Sequence, residues 1–207
     1  MLIPFRQLAA KYGMKPKGVL HVGAHFGQEA EEYAFIGCNR MIFIEAIPDI
    51  YEQLKRNLEP YLDAMAINAC ISDVDGDTTW FNISNNEGQS SSLLELGIHK
   101  TEHPDVMYSD RIEVTTTRLD TLFNDFPLEC EMLNLDLQGA ELMALKSLGS
   151  RLDEFKWLYI EVNKAPVYVG CPLVEEIDSY VAQFGFRRVE TRWCGSFSWG
   201  DSLFIKS

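Results

Sequence analysis

The sequence is short of positive charge. Lys and Arg number 18 against 31 Asp and Glu in 207 residues, a formal net charge of −13. Affinity for a phosphate backbone rests on cationic neutralisation, so this balance argues against nucleic acid as a partner. Arg187, Arg188 and Arg192 leave room for a local basic patch. A cysteine framework is missing as well. Cys38, Cys70, Cys130, Cys171 and Cys194 are odd in number, scattered, and include no C-x-x-C pair. That excludes a disulfide scaffold or a zinc ribbon and suits a reducing compartment. No apolar run is long enough to span a bilayer. The stretch before Gly18 is broken by Pro4, Arg6, Lys11 and Lys15 and holds no secretory apolar segment. The expectation is a soluble, cytoplasmic protein. Repeats, low-complexity tracts and linkers are absent, so residues 1–207 read as one domain. Hydrophobic residues make up 46% of the chain, enough for a full core.

What is present alternates. Phe5, Leu8, Ala9 and Tyr12 have helical spacing, stopped at Gly13. Gly18 to Val22 reads as a buried strand, Gln28 to Ile36 as a helix, Met41 to Ile44 as a second strand. A helix over Pro48 to Leu58 and a third strand over Ala64 to Asn68 follow. The rhythm breaks over residues 72–126, where Thr78 to Ile83 and Arg111 to Thr117 predict an antiparallel insertion with a polar loop on the acceptor side. It resumes with strands over Glu131 to Leu135 and Trp157 to Val162, helices over Ala140 to Leu148 and Leu173 to Phe184, and two closing strands, Phe186 to Thr191 and Ser202 to Ile205. Continuous apolar strands separated by helices predict an α/β fold: a doubly wound, mostly parallel seven-stranded sheet with a C-terminal antiparallel hairpin.

In such a sheet ligands sit beyond the carboxyl ends of the strands, where the winding reverses. The first strand runs into Gly23-Ala24-His25-Phe26-Gly27, small residues that let backbone approach a ligand. The spacing is G-x-x-x-G, not the G-x-G-x-x-G of dinucleotide binders, and alone it also fits a plain tight turn. The second strand ends in Glu45, placed to accept hydrogen bonds from both hydroxyls of a ribose; a solvated charge is the alternative. Ala69 and Cys70 can line an adenine edge or belong to the core. The fourth strand ends at Asp136, followed by Gln138, and the fifth at Glu161 and Asn163. An acid among apolar residues is unfavourable unless paired or ligand-bound. Glu45, Asp136 and Glu161 thus share one sheet edge, as a cationic or hydroxyl-rich ligand requires.

The stretches Val19-Leu20-His21-Val22-Gly23-Ala24-His25-Phe26-Gly27, Phe43-Ile44-Glu45-Ala46, Arg118-Leu119-Asp120-Thr121-Leu122 and Leu133-Asn134-Leu135-Asp136-Leu137-Gln138-Gly139-Ala140-Glu141 occur in an order and spacing that resembles the FkbM family of methyltransferases. The resemblance implies the Rossmann-like class I methyltransferase fold, S-adenosylmethionine as cofactor, and O-methylation of sugar or polyketide hydroxyls. It also implies that the glycine stretch (Gly23, Ala24, His25, Gly27) holds the methionine end of the cofactor. Glu45 with Ala46 would hold the ribose, and Asp136 with Gln138 the edge near the methyl. Three positions depart from the commonest pattern: His25 for Asn, Asn134 for Lys and Gln138 for Glu.

The expected acceptor is a small molecule or glycan, with Asp136 and Glu161 as base or acceptor-orienting groups and Ser90, Ser91, Ser92 and Asn163 as acceptor contacts. Trp193, Trp199 and Tyr168 are candidates to stack on a sugar ring, or core. His21 reads as a hydrogen-bonded core histidine and His25 as shaping the cofactor turn. His99 and His103 have the spacing of a helical metal pair but no third ligand, so no metal is assigned. Two alternatives stand beside this reading. One is a non-catalytic cofactor-binding module, suggested by Asn134 and Gln138. The other is a nucleotide-sugar oxidoreductase, which would need a different glycine spacing and a Tyr–Lys pair.

Overall fold

The computed structural model describes residues 1–207. In chain order the elements are α1 (Phe5–Tyr12), β1 (Gly18–Val22), α2 (Ala30–Phe35), β2 (Arg40–Glu45), α3 (Pro48–Leu58), β3 (Ala64–Asn68), β4 (Cys70–Ile71), β5 (Thr78–Ser84), α4 (His99–Glu102), β6 (Tyr108–Thr117), α5 (Leu119–Leu122), β7 (Met132–Leu135), α6 (Glu141–Leu148), a 3₁₀ helix (Gly149–Glu154), β8 (Trp157–Asn163), α7 (Val174–Ala182), β9 (Phe186–Trp193) and β10 (Trp199–Lys206). Seven strands form one sheet in the order β3-β2-β1-β7-β8-β10-β9. All neighbours are parallel except β8–β10 and β10–β9. Winding runs outward from β1 to β3, then restarts at β7, so the reversal lies between β1 and β7.

The expected insertion is there, with one addition. β5 and β6 pair antiparallel from Thr78↔Thr115 to Ser84↔Tyr108. The two-residue β4 joins them, parallel to β6. No helix is long and apolar enough to cross a membrane, and all five cysteines are free.

Alternation along the strands divides the core. Leu20, Val22, Ile42, Ile44, Leu133, Leu135, Leu158 and Ile160 face α6 and α7 in a cluster of 24 buried residues. Val19, Met41, Phe43, Met132, Tyr159 and Leu203 face α1, α2 and α3 in a cluster of 16. One polar node interrupts this second layer. Asn134 Nδ2 donates to Tyr33 Oη at 2.6 Å and lies 3.2 Å from His21 Nε2, while Tyr33 Oη lies 3.2 Å from His21 Nδ1. All three are buried, and each satisfies the other two, as buried polar groups must. Burial pushes the His21 imidazole down to about 3, so the ring is neutral and structural.

Two outcomes follow. Asn134→Leu removes a shared donor from two buried partners and is expected to destabilise the fold by about 1–3 kcal/mol in urea denaturation. Because folding depresses the His21 pKa, its stabilisation is full above the unfolded value of about 6.5 and is lost as pH falls toward 3. His21→Gln should flatten that acid limb; an unchanged slope would place the linkage elsewhere.

Candidate functional site

β1 ends at Gly23, which has φ +80°. A Cβ there would lie 1.8 Å from the Asp136 carbonyl oxygen, so only glycine lets the ends of β1 and β7 meet. The Gly23 and Ala24 amides donate to Ile44 O at 2.9 and 3.0 Å, and the Asp136 amide to Val22 O at 3.0 Å. Three strand ends are thereby locked around one cavity of about 410 Å³, within the range of small-molecule sites.

On the β1–β2 side the wall carries Gly23, Ala24, His25, Glu45, Ala46 and Ala69. Glu45 is 6% exposed. Its Oε2 accepts from the His25 amide and its Oε1 from the Ile47 amide, both at 2.9 Å. Burial raises its pKa, and these two amides oppose the shift. Each oxygen keeps a lone pair for a further donor. His25 has φ +48°, a left-handed conformation in which Asn, Asp and His are enriched. This accounts for a histidine where the family has asparagine. His25 Nε2 lies 2.8 Å from Glu87 O and Nδ1 3.0 Å from Gln28 Nε2. A carbonyl only accepts, so Nε2 carries the hydrogen and Nδ1 accepts.

On the other side, register builds a row of acids. Leu135 pairs with Ile160, which brings Asp136 level with Glu161, and Glu161 pairs with Asp201. Glu161 and Asp201 are 6% and 5% exposed. Gln138, at φ +51°, donates from one amide nitrogen to Asp136 Oδ1 at 2.7 Å and Glu161 Oε2 at 3.0 Å. Tyr168 Oη donates to Gln138 Oε1 and fixes which end of the amide faces the acids. Burial, and then the charge of Asp201, raises the Asp136 pKa. Burial, and then Asp136, holds Glu161 well above the usual carboxylate range. Behind this turn Glu141 Oε1 accepts from the amides of Leu137 and Gly139, both at 3.0 Å, fixing its shape.

Four expected contacts are not on the wall. Gly27 faces α3 instead, where a Cβ would come 2.7 Å from Leu54 Cδ1. Cys70 points away from the cavity while Ala69 and Ile71 face it, as strand alternation requires. Ser92 is fully buried and donates to Gln138 O at 2.8 Å, tying the loop rather than meeting a ligand. Asn163 is 1% exposed, with both side-chain polar atoms unpartnered. Ser90 and Ser91 do line the cavity, although both hydroxyls engage Asn86 or Ser84. Trp199 and Tyr168 line it too, whereas Trp193 packs on the core and under Lys164. Of the basic grouping, Arg188 is paired with Asp178, while Arg187 and Arg192 are exposed and none of the three lines the cavity.

Sequence reasoning also missed members of this wall. Asp201 and Glu29 lie on it. Asp201 lies near the start of β10 in antiparallel register with Glu161, a signal that needs the strand pairing to be known. Asn134 and Gln138, the departures that suggested lost chemistry, each carry a defined hydrogen-bonding role.

No curated protein matches the chain. Among solved structures, the FkbM methyltransferase of Methylobacillus flagellatus KT superposes with a TM-score of 0.59 at 14% identity. The match covers 91% of this chain and 44% of that one, so this chain spans less than half its length. A Streptococcus pneumoniae protein assigned as a tRNA (m1A22) methyltransferase, solved with S-adenosyl-L-methionine, gives 0.54 at 11% identity over 100% of this chain and 73% of that one. A ribosomal protein L11 methylase from Lactobacillus delbrueckii subsp. bulgaricus gives 0.55 at 13%, over 97% and 76%. These likenesses show the Rossmann-like fold. The methyltransferase FkbM domain itself matches residues 21–188, four-fifths of the sequence. The chain therefore belongs to the FkbM methyltransferase family, whose cofactor is S-adenosylmethionine.

Proposed function

We propose that this chain transfers a methyl group from S-adenosylmethionine to a hydroxyl of an uncharged sugar, glycan or related small molecule. The observation that carries the acceptor class is the charge of the wall. Five carboxylates line the cavity (Glu29, Glu45, Asp136, Glu161 and Asp201) and no Lys or Arg side chain does. Apart from the Met1 terminal amine, a phosphate or nucleic-acid backbone would find no cation there, whereas hydroxyls find hydrogen-bonding carboxyl groups.

The wall suits the cofactor by its own chemistry. Gly23 brings the ends of β1 and β7 together beneath the cavity, and Glu45 has lone pairs free for the ribose hydroxyls. Ala46 and Ala69 give a flat apolar edge for the adenine. When bound, S-adenosylmethionine supplies a methyl group on a positively charged sulfur. Asp136 and Glu161 would face that charge and orient the acceptor, Glu161 donating a hydrogen bond while it holds a proton. Ser90 and Ser91 lie on the cover that keeps water out. Orientation of this kind contributes about 7–11 kcal/mol in favourable systems.

Calorimetry with S-adenosylmethionine, followed by transfer of labelled methyl to neutral glycosides and to tRNA, tests the reading. Absence of cofactor binding at millimolar concentration, or label entering tRNA in preference to glycosides, would overturn it. Glu45→Ala should weaken cofactor binding by roughly 10- to 100-fold, the value of hydrogen bonds to a charged group, with Glu45→Gln intermediate. Gln138→Glu replaces the one amide shared by two acids with another acid. Its Tm should fall below wild type by an amount that grows as pH rises and the added carboxylate ionises; a pH-independent difference would contradict the shared-donor role.

A further inference from the structure

His99 lies on the cavity wall, 4% exposed, and its Nδ1 has no hydrogen-bond partner in the protein. Its placement is fixed by backbone. The amides of Gly97 and His99 donate to Val167 O at 2.9 and 3.2 Å, Ile98 to Pro166 O at 3.1 Å, and Val169 to Glu95 O at 2.8 Å. A Cβ at Gly97 would come 2.3 Å from Pro166 O, so the two segments are in close contact. Tyr168 and His103 flank the ring at centroid distances of 5.5 and 4.9 Å. His103 is already used: its Nε2 accepts from the Trp199 indole at 3.3 Å, and its ring packs on Phe197. The two histidines are thus not a matched metal pair. A neutral imidazole offers one donor and one acceptor. Nδ1 is enclosed, whereas Nε2 keeps accessible surface and also makes no hydrogen bond within the protein, so Nε2 is the nitrogen that a ligand in the cavity can meet.

Building on the methyltransferase reading, we infer that His99 takes the proton of the acceptor hydroxyl during methyl transfer. The proton leaves the acceptor oxygen for an imidazole nitrogen, and the resulting imidazolium later returns it to solvent. The methyl group takes the proton's place on oxygen, and the donor sulfur keeps the electron pair of the broken bond. The carboxylates are less suited to this step, since burial holds Glu161 and Asp136 toward their protonated forms and Gln138 occupies an oxygen of each. Burial and then His103 lower the His99 pKa, with Glu102 opposing. The uncharged ring is therefore ready to accept. Tyr168 from the segment after β8 packs against the ring, and Glu161 and Asp201 are titratable groups lining the same cavity.

Full-length protein labelled with ¹⁵N-histidine and saturated with S-adenosylhomocysteine tests the assignment, the probes being methyl glycosides of glucose, galactose, mannose and rhamnose. His99 signals, identified by their loss in His99→Asn, should be those of a neutral ring at about pH 7 and should shift when a glycoside binds. With the same glycosides, His99→Asn and His99→Gln should lower turnover by about 10²–10⁴-fold while S-adenosylhomocysteine affinity and Tm hold. Wild-type turnover should fall as acid protonates the ring. A charged His99 ring, signals that no glycoside moves, or a variant turning over at the wild-type rate would overturn the assignment. Failure of S-adenosylhomocysteine to bind the wild type would instead sink the methyltransferase reading beneath it.

Discussion

The contact on which the site depends is that of the Gly23 backbone with the Asp136 carbonyl. Adjacent strands in a sheet are held by their ladders, but beyond the last rung nothing obliges them to stay together. Here the left-handed turn at Gly23 fits against the peptide of Asp136 with no room for a Cβ, and the Asp136 amide is still bonded to Val22. The end of β7 is therefore fixed against the end of β1 at the winding reversal. With Asp136 fixed, parallel register sets Glu161 beside it, and antiparallel register sets Asp201 beside that. The acids are level because the ladders are.

Three acids so placed repel one another, and burial worsens each charge. The fold relieves this with a single neutral amide. Gln138 donates to two of the acids, and Tyr168 holds the amide the right way round. Tyr159 Oη donates to the third, Asp201, at 2.6 Å. Raised proton affinity at Asp136 and Glu161 supplies the rest. A glutamate at 138 would add charge where the sheet has already concentrated it, so the departure from the family pattern matches this particular set of neighbours.

Much of this was legible in the sequence, and the boundary of legibility is physical. Strand order and the acids that close strands depend on short-range periodicity and one topological rule, and Glu45, Asp136 and Glu161 all reached the cavity. Parity was legible in principle: Ala69 facing in means Cys70 facing out. Gly27 and Ser92 misled because a glycine or a serine serves packing and ligand equally, and only Leu54 and Gln138 O decide between them. Asp201 and His99 depend on contacts between residues far apart in the chain, Asp201 with Glu161 and His99 with Val167. No local pattern encodes those.

The segment from Ser84 to Ser92 joins the two halves of the site. At one end Glu87 O accepts from His25 on the β1 turn; at the other Ser92 donates to Gln138 O on the β7 turn. Its own fold is fixed internally by Ser84, Asn86, Ser90 and Ser91. Gly88, at φ +83°, packs closely on the side chains of Ile50 and Ile47. A segment bonded to both turns and cross-linked within itself couples the position of one turn to that of the other. The β1–β2 and β7–β8 sides of the cavity are therefore joined by a third element that contacts both, a fixed spacing of the kind that the proposed in-line transfer would need.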